Sequence, residues 1–167
     1  PVRLSEIRTL MGSQNIEEDL PSIKEALNLL EERYTDSSIE IKEVASGFRM
    51  QVRERYGDCL YPLWNDTSSR LSKALMETVS IIAYKQPVTR GDIEDIRGVT
   101  VSTQIIRSLL DREWIKVAGY RDVPGRPALY ETTKNFLNDL NLKSINDLPP
   151  LPEALPPEET LDQLEAV

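Results

Sequence analysis

The sequence predicts a mostly helical α+β fold: tandem winged helix-turn-helix units, each carrying a small antiparallel β wing. Three observations predict it. The chain contains a weak internal repeat, each copy leads into a strongly amphipathic helix, and each of these helices is followed by two short strands. The 167 residues leave roughly 65–80 residues for each unit, which is small but enough for a domain to fold.

The repeat begins with Pro-Val in both copies. PVRLSEIRTL (residues 1–10) and PVTRGDIEDI (87–96) share an apolar residue five positions after the Val and another three positions later. Apolar residues at this spacing predict a short helix that packs one face inward. In the second copy, Thr89 and Asp92 have the spacing of a capping box, and Gly98 is placed to end the helix.

Each copy leads into a longer amphipathic helix, predicted over Ser22–Tyr34 and Ser102–Trp114 from the spacing of its apolar residues. A further helix precedes the second copy over residues 71–86. It stops before Pro87, since the residue before a proline avoids the helical conformation. The apolar residues of these helices are the predicted core: Ile23, Ala26, Leu27 and Leu30 in the first unit, and Leu75, Val79, Ile82, Ile105, Ile106, Leu109, Leu110 and Trp114 in the second.

Alternating apolar and polar residues predict a strand pair after each long helix. Residues 39–52 read as two strands around the tight turn Ala45-Ser46-Gly47. Residues 114–132 read as two strands around a longer loop, RDVPGRP (121–127). This longer loop is the predicted wing of the second unit.

The predicted boundaries are residues 1–66 for the N-terminal winged-helix domain, 67–143 for the C-terminal one and 144–167 for a tail. Pro62 and the pair Asn65-Asp66 mark the linker between the two domains. The first copy of the repeat has no counterpart of the leading helix at 71–86, and the sequence has no initial Met. We therefore expect a fragment of a longer protein whose missing helix precedes the first residue.

The C-terminal end of the chain changes composition. Residues 133–142 read as one more helix, and residues 144–148 can form a single helical turn. Five of the 11 prolines follow Ser144, and no Lys or Arg follows Lys143. Such an acidic, proline-broken segment cannot bury an apolar core of its own, so we expect it to be mobile unless a partner orders it.

The residue inventory excludes most catalytic and metal chemistry. There is no histidine, which removes Ser-His-Asp and Cys-His nucleophile pairs and the common zinc sites. The single cysteine, Cys59, cannot form an internal disulfide and fits the reducing cytoplasm. The 7 glycines lie singly, without the spacing of a phosphate-binding loop, and the carboxylates are scattered along helix faces. We expect a cytoplasmic protein that is not an enzyme and binds no cofactor.

A winged helix is most often a DNA reader, so a winged-helix transcription regulator is the alternative prediction. The net charge is −8, and only residues 67–143, with 12 basic and 9 acidic side chains, carry a positive balance. The helix placed for the major groove carries Arg107 and Arg112 but also Asp111 and Glu113. Carboxylates beside phosphates repel them, and this helix lacks the array of side chains that reads base edges. We expect direct DNA contact to be weak or absent.

Three interpretations of the loop at 121–127 compete. A phosphate nest needs successive backbone N–H groups, and Pro124 and Pro127 remove two of them. A structural wing turn fits the restricted prolines and the reversal that Gly125 permits, with Asp122 available to pair with a neighbouring arginine. A partner-contact loop fits as well, because a rigid loop loses little entropy on binding and Arg is a frequent anchor. The last two interpretations are compatible.

The motifs, taken in order, resemble a known family. LSKALMETVSIIAYKQPVTRGDIEDIRGV, IIRSLLDREWIKVAGYRDVPGRPALYETT and FLNDLNLKSINDLPPLP together closely resemble bacterial segregation and condensation protein B. That family is the small accessory subunit of the SMC-kleisin condensin-like complex. The resemblance is strong over residues 71–152. It is looser over residues 1–64, where PVRLSEI, ALNLLEERY and ASGFRMQV carry it.

The resemblance implies tandem winged helices that form a homodimer through their N-terminal domains. It also implies binding to the kleisin subunit and, through it, an influence on the SMC ATPase, in chromosome condensation and segregation. With this resemblance, the partner-contact interpretation of the wing gains weight. The residues expected to bind the partner are Arg97, Arg121, Pro124, Gly125, Arg126, Pro127 and Tyr130.

The sequence departs from the family pattern in two places. The leading helix that helps to build the first domain and its dimer contact is absent. The family also has Gly after the tyrosine of the wing (LYGTT), where this sequence has Glu131. Because glycine permits backbone conformations that other residues avoid, we expect Glu131 to take an ordinary strand conformation, or the partner contact to tolerate its side chain.

Overall fold

The computed structural model describes residues 1–14, 16–60 and 71–151 of the chain. Within these residues, the first unit has three helices, two strands and a short 3-10 turn. Their bounds are Leu4–Gly12 (α1), Leu20–Arg33 (α2), Ile39–Val44 (β1), Gly47–Val52 (β2), Glu54–Tyr56 (3-10 turn) and Gly57–Leu60 (α3). Strands β1 and β2 form an antiparallel hairpin in which Val44 pairs with Gly47, so the turn is only two residues long.

The second unit repeats this plan with a further helix in front. Its elements are Lys73–Lys85 (α4), Val88–Thr89 (β3), Arg90–Arg97 (α5), Thr103–Asp111 (α6), Ile115–Tyr120 (β4), Ala128–Thr132 (β5) and Lys134–Asp139 (α7), followed by a 3-10 turn at Ile145–Asp147. The strands form an antiparallel sheet in the order β3-β5-β4. Helix, strand, two helices and a two-stranded wing is the winged-helix arrangement, which confirms the predicted fold class.

Polar side chains fix where the helices of the second unit begin. The Thr89 hydroxyl accepts from the Asp92 backbone N–H at 3.2 Å, and the Asp92 carboxylate accepts from the Thr89 backbone N–H at 2.8 Å. This reciprocal pair is the predicted capping box at the start of α5. Gly98 ends α5 with a φ of 68°, a conformation that costs glycine little, as predicted. The Ser102 hydroxyl caps α6 by accepting from the Ile105 backbone N–H at 3.3 Å, without a reciprocal side chain.

The core of the second unit lies between helices α4 to α6 and the sheet. Ile82, Ile93 and Leu109 are fully buried there. The Trp114 ring lies edge-on to Phe136, with 5.8 Å between the ring centroids. Removing these apolar side chains from water is the main force holding the unit together. The predicted core is confirmed for Leu75, Val79, Ile82, Ile106, Leu109 and Trp114.

The core prediction is wrong for Leu110, which is 37% exposed. Successive residues of a helix lie 100° apart, so Leu110 is turned away from the face on which Leu109 packs. In the first unit only Ile23 of the predicted face is buried, while Leu30 is 37% exposed. Leu30 lines an apolar groove of about 320 Å³ on α1 and α2, and no helix of the described residues covers that groove as α4 covers α5 and α6.

The two copies of the repeat also share a backbone pairing. Val2 pairs with Phe48 through two hydrogen bonds of 2.7 and 2.8 Å, as Val88 pairs with Tyr130 in the second unit. This pairing requires glycine at the start of β2. Gly47 has a φ of 129°, and a Cβ there would lie 2.3 Å from the Val2 carbonyl oxygen.

Element bounds differ from the predictions by a few residues, most of them at helix ends, where the final turn frays. The predicted helix over residues 133–142 is shorter, at Lys134–Asp139, and the turn predicted at 144–148 is the 3-10 turn. The linker residues Pro62, Asn65 and Asp66 and the tail beyond residue 151 lie outside the described residues.

Candidate partner-binding surface

The wing of the second unit is a rigid turn. Its two ends are joined by a hydrogen bond of 3.0 Å from the Arg121 backbone N–H to the Pro127 carbonyl. At the tip the Arg126 N–H donates to the Val123 carbonyl at 2.9 Å. Gly125 and Arg126 both have positive φ, of 87° and 38°. The backbone of the wing is therefore the predicted structural turn, in which the prolines restrict φ and left-handed residues reverse the chain.

Arg121 fastens the base of the wing to helix α5. Its guanidinium donates to both carboxylate oxygens of Asp92, at 2.9 and 2.6 Å. Asp92 also caps α5, so one carboxylate serves both the wing and the helix start. Hydrogen bonds from Arg121 and then from the Thr89 backbone hold the pKa of Asp92 well below its usual range. Hydrogen bonding to Asp92 in turn raises the pKa of Arg121.

This pair replaces the partner that the sequence suggested for Arg121. Asp122 was the expected neighbour, but the described residues contain no ion pair at Asp122. Asp92 lies 29 residues away along the chain, so the contact depends on the fold and not on local spacing.

The tip of the wing is open. Pro124, Gly125 and Arg126 are exposed, and the Arg126 guanidinium has no hydrogen bond or ion pair to any residue that the structure describes. A charged side chain on a rigid turn, without an internal partner, can bind a carboxylate or a carbonyl of another molecule at little entropic cost.

Exposed apolar side chains accompany Arg126 on the wing. Val123 is 43% exposed and Tyr120 is 61% exposed, while Val117, farther from the tip and opposite Tyr130, is 42% exposed. The predicted site omitted Val117, Tyr120 and Val123. The alternation of WIKVAGY gives no signal for them, because Val117 has the parity of the buried Ile115, a register shift follows Val117, and Val123 lies beyond the strand. Apolar area beside an arginine is the usual composition of a protein-binding surface.

Arg97 and Tyr130 lie apart from the tip. Arg97 ends α5, at the opposite end from the wing contact, and its guanidinium donates to Glu77 of α4 at 3.0 Å. Its side chain is only 9% exposed, and its Nε–H has no acceptor in the described part of the chain. Tyr130 lies in the central strand β5 and packs half-buried against the core. The structure therefore brings together only residues 121–127 of the predicted set.

Glu131 takes the place of the family's glycine without strain. It lies in β5 opposite Lys116 of β4, and the two side chains form an ion pair of 2.8 Å. Its φ is not positive. This is the ordinary strand conformation predicted for it.

The exposed face of α6 carries mixed charge. Arg107 lies 3.9 Å from Asp111, one helical turn away, and both side chains are about three-quarters exposed. Within the described residues, no three acidic, cysteine or histidine side chains gather to hold a metal ion. No helix among them is long and apolar enough to cross a membrane.

Comparison with known proteins agrees with the motifs. The crystal structure of ScpB from Mycobacterium tuberculosis is 30% identical, over 84% of this chain and 85% of that one, with a TM-score of 0.41. The family model for the segregation and condensation complex subunit ScpB matches residues 1–151. A segregation and condensation protein B homolog from Coxiella burnetii is 46% identical over 166 residues, 99% of this chain and 77% of that protein. Segregation and condensation protein B of Desulforamulus reducens is 40% identical over 149 residues, 88% of this chain and 82% of that protein. By the family match and these two relatives, the chain belongs to the family of the segregation and condensation complex subunit ScpB.

Proposed function

We propose that the chain is a non-catalytic subunit that binds the kleisin of an SMC-kleisin complex and so supports chromosome condensation and segregation during cell division. Its family is named for a segregation and condensation complex. The observation that carries the proposal is the wing of the second unit. Its base is fixed by the Arg121–Asp92 pair, while its tip presents Arg126 and exposed apolar side chains without internal partners.

The wing suits a protein partner because its shape is set before binding. Pro124 and Pro127 restrict the backbone, so little conformational entropy remains to be lost on binding. Val123 and Tyr120 supply apolar area, and Arg126 supplies a planar, forked donor. A kleisin segment with an apolar residue next to a carboxylate or an exposed carbonyl fits this combination.

The first unit supports a second contact, with another copy of the chain. Its groove on α1 and α2 is lined by Ile7, Met11, Leu27 and Leu30. An open apolar surface of this kind is typical of a protein-binding site. In this proposal the homodimer forms through the N-terminal domains, and the SMC ATPase is reached through the kleisin.

A winged-helix regulator is less well supported. The exposed face of α6 offers Arg107, but Asp111 lies beside it. A helix that neutralises its own arginine contributes little to phosphate binding, which supplies most of the affinity of such proteins.

Two arginine variants separate these functions. Isothermal titration of the purified kleisin into the chain should give binding that Arg126→Ala weakens about tenfold, which is about 1.4 kcal/mol. Arg107→Ala is the matched control, because Arg107 is also exposed but lies on α6, and it should bind as the unchanged protein does. A gel shift with duplex DNA at moderate salt should show no complex.

The opposite pattern would reject the proposal. Equal kleisin affinity for Arg126→Ala and the unchanged protein would leave the wing tip as a structural turn only. Tight, salt-sensitive duplex binding that Arg107→Ala abolishes, without kleisin binding, would favour the transcription regulator.

A further inference from the structure

The two hairpins of the repeat end differently. The second ends in the open wing, whereas the short turn between β1 and β2 meets the C-terminal part of the second unit. The Ala45 backbone N–H donates to the Leu142 carbonyl at 2.9 Å. The Ser46 backbone N–H donates to Asn138 Oδ1 at 3.1 Å, and Asn138 Nδ2 donates back to Ser46 Oγ at 2.9 Å.

Asn138 is built into this contact. It is 6% exposed although it is polar, and a buried amide needs both a donor and an acceptor partner. Ser46 provides both, one from its backbone and one from its side chain. Both hydrogen bonds can therefore form only when the hairpin turn lies in this one position against α7.

The receiving segment is fixed to the core of the second unit. On α7, Phe136 is buried and Asp139 accepts a hydrogen bond of 2.7 Å from the Trp114 indole N–H. Helix α7 ends at Asp139, and two residues later Asn141, with a φ of 59°, turns the chain so that the Leu142 N–H donates back to the Leu137 carbonyl at 2.9 Å. That turn orients the carbonyl that accepts from Ala45.

Charged and polar side chains extend the contact to either side of the turn. Lys143 Nζ lies 2.7 Å from Glu43 Oε2, and Arg49 Nη2 donates to Asn141 Oδ1 at 2.6 Å. The hydrogen bond to Glu43 is the main cause of the raised pKa of Lys143. An exposed pair of this kind adds little stability alone, but it selects one orientation over others.

We propose that the contacts of the β1–β2 turn with the α7 segment hold the two winged-helix units in one fixed relative orientation. All of these contacts join residues about 90 to 100 positions apart, across a stretch of chain outside the described residues. The two wings then have different roles. The short wing of the first unit docks inside the molecule, and the long wing of the second unit stays available to other molecules.

The orientation can be measured by double electron-electron resonance. With Cys59→Ser, spin labels at Lys24→Cys on α2 and Arg107→Cys on α6 report one distance between the units. Labelled chain diluted into unlabelled chain restricts the signal to distances within one molecule. In the parent protein we expect a single narrow distance distribution. Asn138→Ala should make this distribution at least twofold broader or shift it. Asn28→Ala on the exposed face of α2 is the matched control and should leave it unchanged.

Asn138 also lies within α7, so a second route leaves that helix intact. Lys143→Glu should broaden the distribution at low salt, and adding Glu43→Lys, which restores the pair with reversed charges, should narrow it again. A broad distance distribution in the parent protein would overturn the proposed fixed orientation. So would an unchanged narrow one in Asn138→Ala and Lys143→Glu with circular dichroism showing both variants folded.

Discussion

Arg121 in the wing and Asp92 in the first turn of α5 form two hydrogen bonds, of 2.9 and 2.6 Å, so the helix start and the wing base share one carboxylate. The pair places the wing relative to the winged-helix core. It also explains why Arg121, although expected at the partner surface, has its guanidinium committed inside the molecule. The tip beyond it, at Val123 to Arg126, keeps its side chains available.

The first prediction concerns the charge of Asp92. Asp92→Asn keeps the size of the side chain but removes the ion pair, and it should lower the free energy of unfolding by about 1 kcal/mol at pH 7. The pKa of Asp92 is lower in the folded than in the unfolded chain. Its contribution is therefore complete above about pH 4 and is lost as the pH falls below that. Urea unfolding at pH 7 and at pH 2.5 measures both effects.

The difference between the unchanged protein and Asp92→Asn should accordingly shrink at pH 2.5. Asp95→Asn, on the same helix and exposed, is the control and should change stability little at either pH. A difference in unfolding free energy that stays constant with pH would show that the charge of Asp92 does not stabilise the folded protein.

The second prediction tests the backbone at the wing tip. Arg126 has a φ of 38°, where a Cβ atom is unfavourable by roughly 1–2 kcal/mol. Arg126→Gly and Arg126→Ala both remove the guanidinium, but only the glycine relieves this strain. Thermal unfolding should therefore find the Gly variant the more stable by about 1 kcal/mol. A more stable Ala variant would contradict the left-handed conformation.

The third prediction concerns the close approach at the first hairpin. Gly47→Ala places a Cβ 2.3 Å from the Val2 carbonyl oxygen at a φ of 129°, so the pairing of Val2 with Phe48 must give way. We expect a loss of about 2 kcal/mol or more in urea unfolding. Gly12→Ala meets no atom within 4 Å at the end of α1 and should be neutral or slightly stabilising. Equal effects of the two variants would refute the close approach.

The fourth prediction separates fold from binding at Arg97. Its side chain is 9% exposed and its one described partner is Glu77. Glu77→Ala leaves a buried cation unpaired and should destabilise the protein by about 2 kcal/mol. Arg97→Met, which removes the charge and keeps the apolar stem, should cost less, and combining it with Glu77→Ala should add little more. Additive losses in chemical unfolding would argue against this pairing.

Local chemistry made much of the second unit predictable. The Thr89–Asp92 capping box and Gly98 fixed the bounds of α5 from three residues, and the spacing of Val79 and Ile82 identified the buried face of α4. Glu131 could be assigned an ordinary strand conformation because a side chain replaced glycine there. These signals lie within a few residues of the structure that they determine.

Contacts between distant residues could not be predicted in this way. Arg121 with Asp92, and Ser46 with Asn138, meet only after the units have folded, and each partner has nearer polar neighbours in the sequence. Leu110 was assigned to the core because the apolar stripe of α6 is wider than the surface that the other helices cover. The wing was identified correctly, but which of its side chains remain available depended on a contact made 29 residues away.

The central claim is that the tip of the second wing contacts the kleisin, and site-specific photo-crosslinking tests it most directly. A benzoylphenylalanine replaces Val123 at the tip in one sample and Gln104 on the exposed face of α6 in another, each mixed with purified kleisin and irradiated. We predict a covalent kleisin adduct from position 123 and none from position 104. An adduct from position 104 with none from position 123 would contradict the account.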